Sequence, residues 1–457
     1  MIPQPLIQSL QKIEGFNENS FIEAHKINTQ ITSIRLNQFK GNLEFAIDEE
    51  QHQTSIIPWC KLGRYLQQRP SFTFDPLFHA GAYYVQEASS MFLWEILKQI
   101  CGELSNNIVL DLCAAPGGKS TLLSNFFHNG FIISNEVIKQ RASVLVENVT
   151  KWGSDNIIVT NNDPKDFKPL KSFFDCIVID APCSGSGLFR KDAKAIEEWS
   201  EENVNLCSGR QKRIIADITD CLNENGLLIY STCSYSKQEN EDVLDWISEN
   251  YDLETIKINI ANDWGIVETQ SDVHKNWGYR FYPYKVKGEG FFIAAFRKKT
   301  AGETSYKLKE TILTKPLKQE IEIAKNFTQI SDTFFYFKHQ DFIKVFPSIF
   351  QKELQIIASY LYIKKAGIAV GMLKGKDLIP AHELAMSYVD LNHITYFDIN
   401  KDDALQYLSK KEVNISSKSI GWALIKYEHI ALGWIKVLPN RINNYYPIEW
   451  RILKSIV

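Results

Sequence analysis

The chain has 457 residues, 44% apolar and 23% charged. These proportions exclude a collagen-like, mucin-like or wholly disordered protein, and the length predicts about three domains. The net charge of −3 gives no sign of a nucleic-acid partner in bulk, although residues 301–457 are net basic and residues 1–300 net acidic.

The opening stretch MIPQPLIQSLQKIEGF has no basic segment followed by an apolar one, so no secretory signal is predicted. No apolar run approaches the roughly 20 residues that cross a bilayer, so no membrane partner is expected. The eight cysteines include no C-x-x-C pair. That argues against a zinc site or a disulfide scaffold and predicts reduced thiols in a cytoplasmic protein, with no metal.

Residues 1–75 mix helix-like and strand-like segments and end at Pro70, Asp75 and Pro76. Met91, Phe92, Leu93, Ile96 and Leu97 predict an amphipathic helix over 87–99, and 102–107 reads as a loop. A regular alternation follows. Strands are predicted at 108–113, 131–135, 157–160, 174–180, 227–231 and 291–296. Helices are predicted at 119–127, 139–152, 202–222 (stopped near Gly226) and 238–250. The alternation implies an α/β fold with a parallel, doubly wound sheet and a ligand beyond the carboxyl ends of its strands. Residues 298–305 read as a linker, and residues from 380 onwards as short strands with aromatics between them. The expected division is 1–75, 76–300, a linker and middle α+β region at 301–380, and 381–457.

The run DLCAAPGGKS at 111–120 follows the first of these strands and opens a helix. Its glycines allow close backbone approach, and a helix start presents free N–H groups. A phosphate-binding P-loop fails, because Cys113 stands where that loop needs Gly. A dinucleotide G-x-G-x-x-G is absent. A loop holding the amino-acid end of S-adenosylmethionine remains, beside the plain reading of a tight turn. Glu136 ends the second strand, 19 residues past Gly117, and is placed to accept two ribose hydroxyls. Asp163, after the third, is placed to meet an adenine amino group.

Two cysteines fall just past strand ends, Cys183 in DAPCSGSG and Cys233 in STCS. Cys60, Cys101, Cys176 and Cys221 read as small buried hydrophobes. A thiolate beside a methyl donor suits carbon-5 of a pyrimidine. Addition at carbon-6 makes carbon-5 nucleophilic, and an acid near N3, for which Asp180 is placed, stabilises the charge. A second group must then remove the carbon-5 proton. The chemistry alone does not say which cysteine attacks.

DLCAAPGGKS, DAPCSGSGLFRKD (180–192) and YSTCSYSKQENEDVL (230–244), with YYVQEASSM (83–91) and GEGFFIAAFRK (288–298), resemble the RNA (cytosine-5) methyltransferases of the Nop2/NSUN/RsmF family over residues 20–300. The resemblance implies a Rossmann-like class I methyltransferase with a small N-terminal RNA-binding lobe. It makes Cys233 the nucleophile and Cys183 the residue that assists product release. Its cofactor contacts carry over to Cys113, Ala114, Ala115, Pro116, Gly117, Gly118, Lys119, Glu136, Asp163 and Asp180. The tail, with PAHELA, LGWIK and NNYYP, is similar to the α+β PUA-like extension of bacterial RsmF-like 16S rRNA methyltransferases. That similarity implies small-subunit rRNA, or the assembling 30S particle, as partner. A tRNA methyltransferase and a non-catalytic ribosome-assembly factor are the alternatives, and a monomer is the default state.

Basic and aromatic candidates for RNA are Arg190, Lys191, Arg210, Lys212, Arg213, Arg280, Tyr282, Tyr284, Lys285, Lys436, Arg441 and Tyr445. If the tail grips RNA by itself, removing 301–457 should weaken RNA binding and leave cofactor affinity nearly unchanged.

Overall fold

The structure is a computed structural model that describes residues 2–27, 31–41, 54–101, 107–300, 302, 304, 306–309, 312–413, 415 and 419–454. Most of the expected loop at 102–107, and residues 301, 303 and 305 of the expected linker, lie outside the described residues.

An N-terminal four-stranded sheet centres on β1 (Thr32–Leu36), which pairs antiparallel with Cys60–Leu66 and Tyr83–Val85. The central sheet holds five parallel strands: β2 (Ile108–Asp111), β3 (Phe131–Asn135), β4 (Ile157–Thr160), β5 (Phe174–Asp180) and β6 (Leu222–Thr232). They lie in the order β6-β5-β2-β3-β4. These runs are apolar along almost their whole length because helices cover both faces, as a parallel sheet requires. Two of the covering helices are α1 (Gly118–Phe126) and α2 (Lys139–Trp152). On the other face and edge lie α3 (Glu201–Ile218) and α4 (Glu241–Asn250), whose Ile214, Ile215, Val243 and Leu244 enter the same core as Leu110, Ile177 and Tyr230.

The structure corrects four expectations. The last strand, β7 (Phe291–Lys298), runs antiparallel to β6. The chain reaches it from the antiparallel pair Val267–Gln270 and Trp277–Phe281, and so short a link cannot make the crossover a parallel strand needs. The helix expected at 202–222 ends at Ile218, where the Thr219 hydroxyl bonds back to Ile215 O at 2.7 Å. The Asn-Glu-Asn-Gly run that looked like a helix stop is part of β6, bent at Asn225 (φ +60°). The helix expected at 87–99 begins at Phe92, after a short turn at Ser89–Met91.

Residues beyond 300 are woven into this core. Two further sheets form, one from Phe334–His339, Phe342–Pro347, Ile368–Lys374 and Asp377–Pro380, the other from Tyr396–Asp398, Gly421–Tyr427, Ile430–Leu438 and Arg441–Asn444. Between strands of the first, β8 (Ile363–Lys365) leaves to pair antiparallel with β4 and extend the central sheet. Tyr362 O accepts from Asn161 N and from Asn162 Nδ2, each at 3.1 Å, next to Asp163. Lys364 Nζ holds Lys139 O and the Ser143 hydroxyl in the first turn of α2.

The other end of α2 joins all three parts of the chain. A helix C-terminus leaves carbonyls that need donors. Here Lys40 supplies Lys151 O (2.6 Å), Asn37 supplies Trp152 O (2.9 Å), and Tyr388 N supplies Gly153 O (3.0 Å). The Tyr388 hydroxyl also donates to Asn37 Oδ1. Gly153 takes φ +89°, and a side chain there would meet Met386 O at 2.0 Å.

The tail is therefore not a separable grip. Truncation after residue 300 uncovers the edge of β4 and removes one cap of α2. We expect a loss of about 2 kcal/mol or more, a fall in Tm of roughly 5 °C, together with weaker cofactor binding, measured by thermal unfolding and calorimetry. A truncated chain that keeps the full-length Tm and affinity would make the extension an independent appendage.

Candidate active site

The loop after β2 is pinned from several sides. Leu112 N donates to Val178 O and Ala114 N to Asn135 O. Arg141 holds Ala115 O at 2.8 Å and Asn148 holds Pro116 O at 2.8 Å. Gly117 takes φ +118°, a left-handed conformation that favours glycine, and caps α1. From β1, the buried Arg35 reaches across to Gly118 O and the Thr121 hydroxyl, donates from its Nε to Gln86 Oε1, and stacks over Trp152. The N-terminal sheet thus braces the helix start that follows the loop, with its free N–H groups directed at the sheet edge.

Acidic groups surround this loop. Asp111 is fully buried. One oxygen accepts the Ser120 hydroxyl at 2.7 Å, and the other has no partner among the described residues. Burial pushes its carboxyl up to about 7, against the Ser120 hydrogen bond and the charge of Lys119. Glu136 is buried at the end of β3, with one oxygen accepting from Ile138 N and the other 3.4 Å from Arg141. Asp163 is half-buried and caps the short turn Pro164–Phe167, accepting from Lys165 N. Lys119, expected in the cofactor loop, reaches out of it to Asp180 at 2.8 Å, and Ser231 donates to the other Asp180 oxygen at 2.8 Å.

Asp180 ends β5 and Thr232 ends β6, so the loops that follow lie side by side at the carboxyl edge. Cys183 Sγ and Cys233 Sγ are 2.9 Å apart, both free thiols and both half-buried. The hydrogen bond with Cys233, then burial, then the nearby charges push the Cys183 thiol up well above its ordinary value. Gly187 packs between Gly290 O and Cys233 O, so closely that a side chain would meet them at 2.4 and 2.8 Å.

The structure brings Cys183, Cys233, Asp180, Lys119 and the 113–118 loop to one edge. It also brings residues that sequence reasoning missed: Ser184, Ser234, Gln211 and Glu239, beneath the cysteine pair. The available signal was the repeated Cys-Ser, at 183–184 and 233–234. Three RNA candidates are corrected. Arg280 is buried, with Nε 2.6 Å from Glu241 and its guanidinium also holding Tyr235 O. Tyr282 is buried between Tyr235 and Tyr284. The largely buried Arg190 side chain lies 3.8 Å from Glu289 and donates to Gly288 O. Arg210, Arg213, Lys191, Lys285 and Arg441 remain exposed.

The unpaired, buried oxygen of Asp111 suits a cationic donor such as the ammonium of an amino-acid group. Glu136 offers a carboxylate on the same edge, two strands from that of Cys183 and three from that of Cys233. A mixed sheet with this loop and these acids defines an S-adenosylmethionine-dependent methyltransferase. Its fold matches a methyltransferase homolog protein from Pyrococcus horikoshii (27% identical, 65% of this chain and 100% of that one, TM-score 0.52). It also matches NSun6 from Pyrococcus horikoshii (19% identical, 65% and 98%, TM-score 0.55).

Three profiles of RsmB/F-type methyltransferases match the chain. The profile described as 16S rRNA methyltransferase RsmB/F matches residues 101–297. The profile for the N-terminal domain of 16S rRNA methyltransferase RsmF matches 2–88, and that for the methyltransferase RsmF PUA domain matches 395–452. Similar proteins include ribosomal RNA small subunit methyltransferase F of Vibrio atlanticus, 29% identical over 91% of this chain and 90% of that one. The protein of the same name from Vibrio cholerae is 29% identical over 98% and 97%.

Asp111 gives the cofactor site a pH dependence with a definite sign. Its raised carboxyl is protonated below about pH 7 and charged above it. A cationic ligand group favours the charged form, so binding must expel a proton at low pH. S-adenosylmethionine should bind several-fold more weakly at pH 6.0 than at pH 7.5 in calorimetry. Asp111→Asn should bind weakly at both, with the dependence gone.

Proposed function

We propose that this enzyme methylates carbon-5 of a cytosine in 16S rRNA. The contact between Cys183 and Cys233, with Asp180 and Lys119 beside it, carries the proposal. The choice of rRNA is supported by the relatives, which are named for the small-subunit RNA.

On this reading the loop from Cys113 to Lys119, with Asp111, Glu136 and Asp163, holds the cofactor. When bound, S-adenosylmethionine supplies the methyl group that carbon-5 takes up. The chain's own residues do the rest. A cytosine flipped out of the RNA enters the edge beside the cysteines. Cys233 gives up its proton, which passes by way of Asp180 to N3, and its thiolate adds to carbon-6 while the carbon-5–carbon-6 double bond gives its electrons to the ring. Asp180, paired with Lys119, holds a proton at N3 as that charge develops. After methylation Cys183, having given its own proton to water, takes the carbon-5 proton as a thiolate. The double bond re-forms, the carbon–sulfur bond breaks, and Cys233 leaves as thiolate.

The last sheet presents an aromatic and cationic surface suited to RNA. Tyr445 packs edge-on against Trp422 at 4.5 Å, and Lys436 lies over the Trp422 ring. On this reading the enzyme works in the cytoplasm, as a monomer, on rRNA or the assembling 30S particle.

Cys233→Ala should abolish turnover, whereas Cys183→Ala should accumulate a covalent protein–RNA adduct that denaturing gels resolve. An active Cys233→Ala enzyme would sink the assignment, and adducts from that variant alone would reverse the two roles. Bisulfite sequencing of a deletion strain should show a cytosine in 16S rRNA losing its methyl group; a loss confined to tRNA would overturn the choice of substrate.

A further inference from the structure

The motif that carries Cys233 continues as Gln238-Glu239-Asn240-Glu241, and nothing in the reaction above uses this segment. Glu239 is buried in the short turn Lys237–Glu239, yet its carboxylate receives four donors. Ser184 N (2.8 Å) and Gln211 Nε2 (3.1 Å) donate to one oxygen. The Ser184 and Ser234 hydroxyls donate to the other, each at 2.5 Å. Ser184 follows Cys183 and Ser234 follows Cys233, so one carboxylate ties together the two loops that carry the sulfurs. Gln211 adds α3 to the same knot, since its amide also donates to Pro182 O at 3.0 Å. The neighbouring residues serve one loop only. Asn240 donates to Ser234 O and receives the Thr232 hydroxyl, while Glu241 pairs with Arg280, which holds Tyr235 O.

We infer that Glu239 is the positioning residue of the cysteine pair, bridging Ser184 and Ser234 so that the sulfur that attacks and the sulfur that assists release share one reaction site. The inference rests on the roles proposed for Cys233 and Cys183. A carboxylate has about four lone-pair sites, and here all are taken, so Glu239 holds the loops and has no site left to accept a proton from sulfur. An amide cannot replace it. Gln would turn an NH2 group towards two donors and leave them unpaired in a buried site. Each serine hydroxyl links its loop to the shared oxygen, and the Ser184 loop has a second tie through Ser184 N.

The test uses the full-length enzyme with an RNA substrate and follows adduct formation as well as turnover. Glu239→Gln should lower kcat about 100-fold and lower the Tm by several degrees, while the KM for S-adenosylmethionine stays close to wild type. In the Cys183→Ala background, adding Glu239→Gln should slow adduct formation to a similar degree. Ser234→Ala carries the same test if Glu239→Gln fails to fold, with a kcat loss of about 10-fold. Combining it with Ser184→Ala should cost less than the product of the two single losses, because both act through one carboxylate. Adducts forming at the same rate with and without Glu239, or a raised KM at unchanged kcat, would overturn the inference. Failure of Cys183→Ala to trap any adduct would instead overturn the proposed cysteine roles.

Discussion

A hydrogen bond between two sulfurs, 2.9 Å long, is the contact on which the carboxyl edge of the sheet depends. It is far longer than the roughly 2.05 Å of a disulfide, so the thiols touch without being joined. Loops are the most mobile parts of a domain, and two adjacent loops have no intrinsic reason to keep two side chains at that spacing. The parallel pairing of β5 and β6 sets it coarsely, with Asp180 opposite Ser231. Buried polar groups then set it finely. The glycines at 187 and 290 let the backbones close up, and the Tyr230 hydroxyl fixes Glu239 O at 2.6 Å. Polar burial of this kind costs free energy unless every group is partnered, which makes the arrangement specific rather than cheap.

The cofactor side follows a contrasting design. Around the cysteines the donors and acceptors are largely matched within the protein, whereas at the loop one acidic oxygen is left for a ligand to match. Arg35 shows how far the matching extends. It is a fully buried cation held by Gln86, Gly118 O, Thr121 and the face of Trp152, so a residue of the N-terminal sheet helps to shape a site in the central one.

Much of the fold was legible because a parallel sheet writes a strong pattern. The limits of β3, β4 and β5 follow directly from apolar runs bounded by polar residues. The beginning of β6 was not legible, since Asn-Glu-Asn-Gly is turn chemistry and falls at a break in register between the pairs Phe174–Leu222 and Cys176–Leu227. The three residues of β8 are too few to show a period. At the site, the two cysteines and Asp180 stood out because each lies just past a strand end. Arg190 and Arg280 misled because their partners, Glu289 and Glu241, are 99 and 39 residues away, and a charge that is neutralised at long range looks free in sequence. Glu239 stayed hidden for a similar reason, its donors at 184 and 211 being brought to it only by folding.

The seat of β8 has a consequence for how the protein is made. Its partner β4 is complete at Thr160, but β8 is complete only at Lys365. At a synthesis rate of about 5–20 residues per second, the outer edge of the central sheet stays open for roughly 10–40 s while the intervening chain emerges. During that interval the unpaired N–H and C=O groups of β4 are available to any other extended segment. The Rossmann-like core of this protein therefore cannot finish folding in the order in which it is translated. Its last structural residue arrives some 200 residues after the strand it protects, and the nascent chain depends on its surroundings until then.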